Sequence, residues 1–169
     1  MNVIDKPATQ GETAGRPIRS AIRYLTGCRL PVLLTSPLLY LGVIPLAQLD
    51  LFLTLLQAVC FRLWGVPRVR RSDYLVFDRS KLRYLNAVER LNCAYCSYAN
   101  GLFAYAVEIG ARTEQHWCPI RHSRSPLAPH SRYGHFLDYG DPASYGRQVE
   151  TVRRDFADES RDARNGGMG

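Results

Sequence analysis

Hydrophobicity along the chain comes in blocks. Residues 1–29 are polar and carry arginines, and residues 30–66 are almost wholly apolar. Residues 67–122 look globular and rich in tyrosine, and the remainder mixes charge with Pro and Gly. The apolar run from Leu30 to Phe61 holds 32 residues and one formal charge, Asp50. A spanning helix takes about 20 such residues, and two spans with a turn take well over 40. The run is too long for one straight crossing and too short for an ordinary pair. Three arrangements fit. One is a re-entrant or monotopic helical hairpin that enters and leaves on the same side. Another is a single span over residues 30–48 followed by an interfacial helix. The third is a buried helical hairpin in a soluble protein.

Pro45 disfavours helix at the residue before it, and Asp50 is a good N-cap, so a break is expected over residues 44–50. Beyond it, Asp50, Thr54, Gln57 and Ala58 recur at helical spacing as a weakly polar stripe. Such a stripe suits a helix lying in the membrane interface or packing on the protein's own domain. Asp50 has a second reading as an intramembrane acid, which marks a functional site by default.

Charge sharpens the membrane reading. Arg16, Arg19, Arg23 and Arg29 precede the apolar run, and Arg62, Arg68, Arg70 and Arg71 follow it. Cytoplasmic flanks are enriched in Lys and Arg, so the pattern favours the hairpin, with both ends on the cytoplasmic side of the inner membrane. The formal net charge of +7 suits nucleic acid or anionic lipid. Arginines bracketing an apolar run favour the lipid bilayer, and no nucleic-acid-binding signature is present. The first residues lack the charged start, apolar core and small-residue cleavage site of a secretory signal. The thiols are therefore expected in a reducing compartment.

After the run, the basic connector and "DYLVFD" (Asp73 to Asp78) read as extended loop. Ser80 or Asp78 can cap a helix in which Leu82, Leu85, Val88, Asn92 and Tyr95 recur. Asn100-Gly101 is a turn signal, so either two helices meet there or one long helix carries the glycine. Cys118-Pro119 ends that segment, a loop follows, and Asp141-Pro142 opens a last charged helix. The expected organisation is a flexible leader (1–22), a membrane-embedded helical segment (23–66) and a helical cytoplasmic domain (67–122). A loop with a C-terminal helix (123–158) and a disordered tail (159–169) complete it. The fold class is mainly α: an embedded helical hairpin plus a small cytoplasmic helical domain.

Candidate chemistry centres on thiols. Cys93 and Cys96 form C-x2-C, Cys118 and His122 form C-x3-H, and 21 residues separate Cys96 from Cys118. Thiolate and imidazole are zinc's preferred ligands, with iron the alternative. The two halves converge only if the chain turns at Gly101 and bends again, near Gly110. Two other readings stay open. Cys93 and Cys96 could be a redox dithiol, making the chain a membrane enzyme or electron carrier. Or the cysteines are small buried hydrophobes. Cys28 and Cys60 read as packing residues, with lipidation open at Cys28. Glu108 and Arg112, spaced i,i+4, read as a pair on a solvated face. Tyr84, Tyr95, Tyr98 and Tyr105 read as a membrane-facing or domain-packing seam. No glycine-rich phosphate loop, serine elbow or zincin motif occurs.

The segments "LTSPLLY", "LDLFLTLLQAVCF", "VPRVRRSDYLVFDR" and "LRYLNAVERLNCAYCSYANGLFAYAVEIGARTEQHWCPIRH" resemble a group of uncharacterised bacterial membrane-associated proteins. The CxxC…WCPIRH block carries most of the likeness. The resemblance implies a bacterial, membrane-bound protein and supplies no catalytic residues. Together these readings point to a membrane-associated accessory protein or subunit. A structural metal and a membrane-protein partner are further expectations.

Overall fold

A computed structural model describes residues 30–82 and 84–157. The leader (with Arg16, Arg19, Arg23, Cys28 and Arg29) and the tail lie outside the described residues. The chain is mainly helical, and no strand is present among the described residues. The helices are α1 (Leu30–Leu41), α2 (Val43–Leu56), a π-helical turn (Gln57–Phe61), α3 (Arg62–Trp64), α4 (Ala87–Trp117) and α5 (Pro142–Arg154).

The break expected over residues 44–50 is absent. Helix α2 runs through them; the turn instead falls at Gly42, between α1 and α2, and the helical stretch Leu34–Trp64 is long and apolar enough to cross a membrane. Pro45 is the third residue of α2. Backbone N–H groups in a first turn have no intrahelical acceptor, so its missing donor costs little there. Asp50 lies inside α2 rather than capping it, and its carboxylate pairs with Arg71 at 2.5 Å.

The described chain divides into two compact units. The first comprises the chain up to Val43 together with Val76–Tyr98. Here Tyr40 donates its hydroxyl hydrogen to Asn92 Oδ1, and its ring meets Tyr95 edge-on at 5.7 Å. Asn86 and Glu89 form a reciprocal capping box, each side chain accepting from the other's backbone N–H at 2.9 Å. That box starts α4. Asp78 caps only the short 3-10 turn Arg79–Lys81, so the helix expected at Asp78 or Ser80 begins later.

The second unit comprises Ile44–Leu75 and the chain from Ala99 onward. Leu46, Leu53, Gln57 and Phe61 form its buried helical stripe. Spacings of seven, four and four keep them on one face. From α4 come Leu102, Tyr105 and Ile109, again one face. Fully burying a side chain such as Phe61, Leu102 or Ile109 contributes about 1.5–3 kcal/mol. The segment after α4 also joins this core. Tyr133, Phe136 and Leu137 are buried, and Ile120 and Leu137 form an isolated parallel bridge.

Helix α4 continues through both Gly101 and Gly110. At Gly101 the absent side chain has a packing reason. A Cβ there would stand 2.6 Å from the Tyr74 carbonyl oxygen and 3.2 Å from Leu75 Cα. The glycine admits a close backbone approach rather than making a turn.

Candidate functional site

Cys93 and Cys96 are the seventh and tenth residues of α4, and α4 ends at Trp117, one residue before Cys118. Cys93 is half-buried, whereas Cys96, Cys118 and His122 are exposed. The turn at Gly101 and the bend near Gly110 that convergence required are not formed. Among the described residues, no group of three or more His, Cys, Asp or Glu side chains is arranged to hold a metal ion. The Cys118 N–H closes the helix end on the Glu114 carbonyl at 2.7 Å, and the His122 N–H donates to the Tyr133 hydroxyl at 2.8 Å.

The second unit builds a different site, at the C-terminal ends of three helices. Trp64 ends α3. Gly65 takes a left-handed conformation, φ 71°, and the Val66 N–H returns to the Phe61 carbonyl at 3.0 Å. Trp64 stacks on His116 with ring centroids 5.3 Å apart and planes 8° from parallel. Trp117 meets Trp64 edge-on, also at 5.3 Å. Arg153, Arg154 and Glu150, from the last turns of α5, form the polar wall, and Phe156 lies just beyond. These groups and Val66 enclose a cavity of about 590 Å³.

A buried polar chain fixes that wall. Glu108 Oε1 accepts from Arg112 Nε at 2.8 Å and from Arg132 Nε at 3.2 Å. Arg132 Nη1 donates to Gln115 Oε1 at 3.0 Å. Gln115 Nε2 then donates to the Val152 and Asp155 carbonyls at 2.9 and 2.6 Å. Those carbonyls belong to the last turn and C-cap of α5; Val152 also accepts from the Asp155 N–H at 3.3 Å. The Arg132 guanidinium also sits 5.0 Å from the Phe156 ring centroid. Glu108 thereby positions the end of α5 through Arg132 and Gln115.

This corrects the reading of Glu108 and Arg112 as a solvated pair. Their side chains are 12% and 4% exposed. The i,i+4 spacing made the pair legible, but its burial depends on Arg132, 24 residues from Glu108 in sequence. The polar stripe on the apolar helix is also partly internal. Gln57 is buried, donating to the Tyr105 hydroxyl and accepting from the Val69 N–H at 2.7 Å, whereas Thr54 and Ala58 are exposed.

Chemically the cavity suits binding. Its described lining residues comprise two guanidiniums, one carboxylate, one imidazole, two indoles and one phenyl ring, with no hydroxyl or thiol nucleophile among them. Glu150 pairs with Arg153 at 2.6 Å and with Arg154 at 3.8 Å. Arg153 Nη2 also donates to the Trp117 carbonyl at 3.3 Å, while its Nε is buried with no acceptor. Sequence reasoning missed this site because its residues come from three helix ends far apart in the chain. No protein-family model, curated protein or solved structure matches the sequence.

Proposed function

We propose that the chain is a non-catalytic, membrane-associated accessory protein or subunit, seated on the bilayer through its apolar helix. One observation carries this reading. In the most apolar 18-residue window of Leu34–Trp64, only 11% is buried within the protein. A core helix of a soluble protein is mostly covered. Here Ile44, Leu51, Phe52, Leu55, Val59 and Leu63 are exposed on the second unit alone. Apolar surface of that extent marks a membrane or protein contact.

The way the helix is held favours lying in the interface over crossing. Its Leu46–Phe61 stripe packs on its own unit, and Val69 of the basic connector bonds to Gln57. Arg68, Arg70 and Arg71 on that connector are exposed. The helix carries only a narrow polar stripe, partly buried at Gln57, and the rest of its unit supplies the polar side. A monotopic arrangement then immerses the outer faces, keeps the arginines at the headgroups, and suits the cytoplasmic side of the inner membrane. The bacterial resemblance points the same way.

Flotation of the purified protein with protein-free phosphatidylcholine vesicles tests this. The protein is expected to float and to stay with vesicles after a carbonate wash. Leu51→Glu with Leu55→Glu is expected to leave it in the aqueous fraction. A monodisperse wild-type protein, soluble without detergent and indifferent to vesicles, overturns the reading. If it is instead a soluble oligomer, a second copy covers the apolar face.

A further inference from the structure

We infer that the cavity framed by Trp64, His116 and Trp117 binds the phosphate headgroup of an anionic phospholipid, with Arg153 and Arg154 as its anion-binding groups. This rests on the membrane reading above and adds a specific ligand to it.

Place is the first reason. Trp64 is the last residue of the apolar helix, directly after Leu63, which is 78% exposed. Indole rings favour the level where acyl chains meet headgroups. Trp64 lines the cavity and half-exposed Trp117 stands beside it, so both indoles border the space a headgroup would enter.

Charge is the second. Among the described residues, Glu150 is the only carboxylate in the lining, against two guanidiniums. Arginine recognises phosphate through its planar fork of donors. Arg154 is 84% exposed and only distantly paired with Glu150, which leaves its donors open to a ligand. Arg153 is incompletely satisfied as it stands, with Nε lacking an acceptor. A buried donor without an acceptor is costly, so an entering anionic oxygen gives Arg153 reason to shift from Glu150 toward the ligand.

Preorganisation is the third. Glu108, Arg132 and Gln115 hold the end of α5 through the Val152 and Asp155 carbonyls. The two arginines therefore sit on a fixed helix end, not on a loose loop.

The test uses the full chain and two vesicle types, phosphatidylcholine alone and phosphatidylcholine with phosphatidylglycerol. Tryptophan quenching by brominated acyl chains reports binding. The wild type is expected to bind the anionic vesicles about an order of magnitude more tightly. Arg154→Gln, at a side chain too exposed to matter for folding, is expected to remove much of that preference. Arg153→Gln with Arg154→Gln is expected to abolish it. The charge-matched control Arg68→Gln with Arg70→Gln, on the connector, is expected to lose less. Equal losses in pocket and connector variants overturn the pocket and leave a diffuse basic surface. Equal binding of both vesicle types by the wild type overturns the proposal while the membrane reading stands. Failure to bind either type sinks the membrane reading itself. Soluble glycerol phosphate forms the last arm: weak or no binding supports a lipid source, and binding as tight as the vesicles' overturns it.

Discussion

The backbone N–H of Val69 donates to Gln57 Oε1 at 2.7 Å, tying the basic connector to the apolar helix twelve residues earlier. The same amide donates through Nε2 to the Tyr105 hydroxyl on α4. One polar side chain in an apolar run thus joins three segments of the second unit. It lies in the π-helical turn Gln57–Phe61, a widened geometry often found where a side chain has a special task.

Gln57→Leu keeps much of the volume and removes both bonds. The Val69 N–H is then buried without an acceptor, which costs about 1–3 kcal/mol. Thermal unfolding of the variant in detergent is expected at lower temperature, with faster hydrogen exchange at Val69. An unchanged midpoint and unchanged exchange would show that the connector is held by other contacts.

Glu108 offers a sharper case. Its carboxylate faces the Arg112 and Arg132 guanidiniums, whose side chains are 4% and 5% exposed. Glu108→Gln keeps the shape and removes the negative charge. Breaking a buried ion pair on one side typically costs about 3–5 kcal/mol. Denaturant unfolding should show a loss of that size, and loosening should extend to α5 through Gln115. Arg90→Gln, on the exposed surface of the same helix, serves as a comparison and is expected to change little.

Local signals in the sequence survived folding, whereas signals that depend on distant partners did not. The apolar run and the Asp141-Pro142 helix start were legible because hydropathy and capping act over a few residues. Pro45 misled because a proline in a first helical turn need not break the helix. Asn100-Gly101 misled because the glycine answers to Tyr74, far back in the chain. Tyr133, Phe136 and Leu137 have the i, i+3, i+4 spacing of one helical face, but the surrounding Ser, Pro and Gly make the segment read as loop, and they are core. The cavity was invisible for the same reason as the Glu108 network: its residues meet only after the chain has folded.

Asp141 gives a pH-dependent expectation. Its Oδ1 accepts from the Ala143 and Ser144 N–H groups at 3.1 and 3.0 Å, and Oδ2 accepts from the Ser144 hydroxyl at 2.5 Å. The Ser144 hydroxyl, followed by the backbone bonds, holds the carboxyl below its ordinary pKa. A depressed folded-state value means that the ionised cap stabilises the fold at any pH above the unfolded-state value. That contribution fades as pH falls through the lowered one. Amide exchange at Ala143 and Ser144 should therefore stay slow through neutral pH and the mildly acidic range. After correction for intrinsic rates, it should quicken only below the ordinary carboxylate range. Asp141→Asn keeps an acceptor and should remove this pH dependence. If the transition persists in Asp141→Asn, another group is responsible.

Two glycines in one helix make a paired test. Alanine is favoured over glycine in a helix interior by about 1 kcal/mol. At Gly110 nothing lies within 4 Å of an added Cβ, so Gly110→Ala should raise stability by roughly 0.5–1 kcal/mol. At Gly101 the same methyl meets the Tyr74 carbonyl oxygen at 2.6 Å. Backbone cannot swing aside as a flexible side chain does, and overpacking of this kind costs about 1–3 kcal/mol. Gly101→Ala should therefore lower stability despite its better helix propensity. Opposite signs in thermal unfolding would establish that the segment around Tyr74 sits hard against α4. Stabilisation by both substitutions would mean that the close approach at Gly101 is not present in solution.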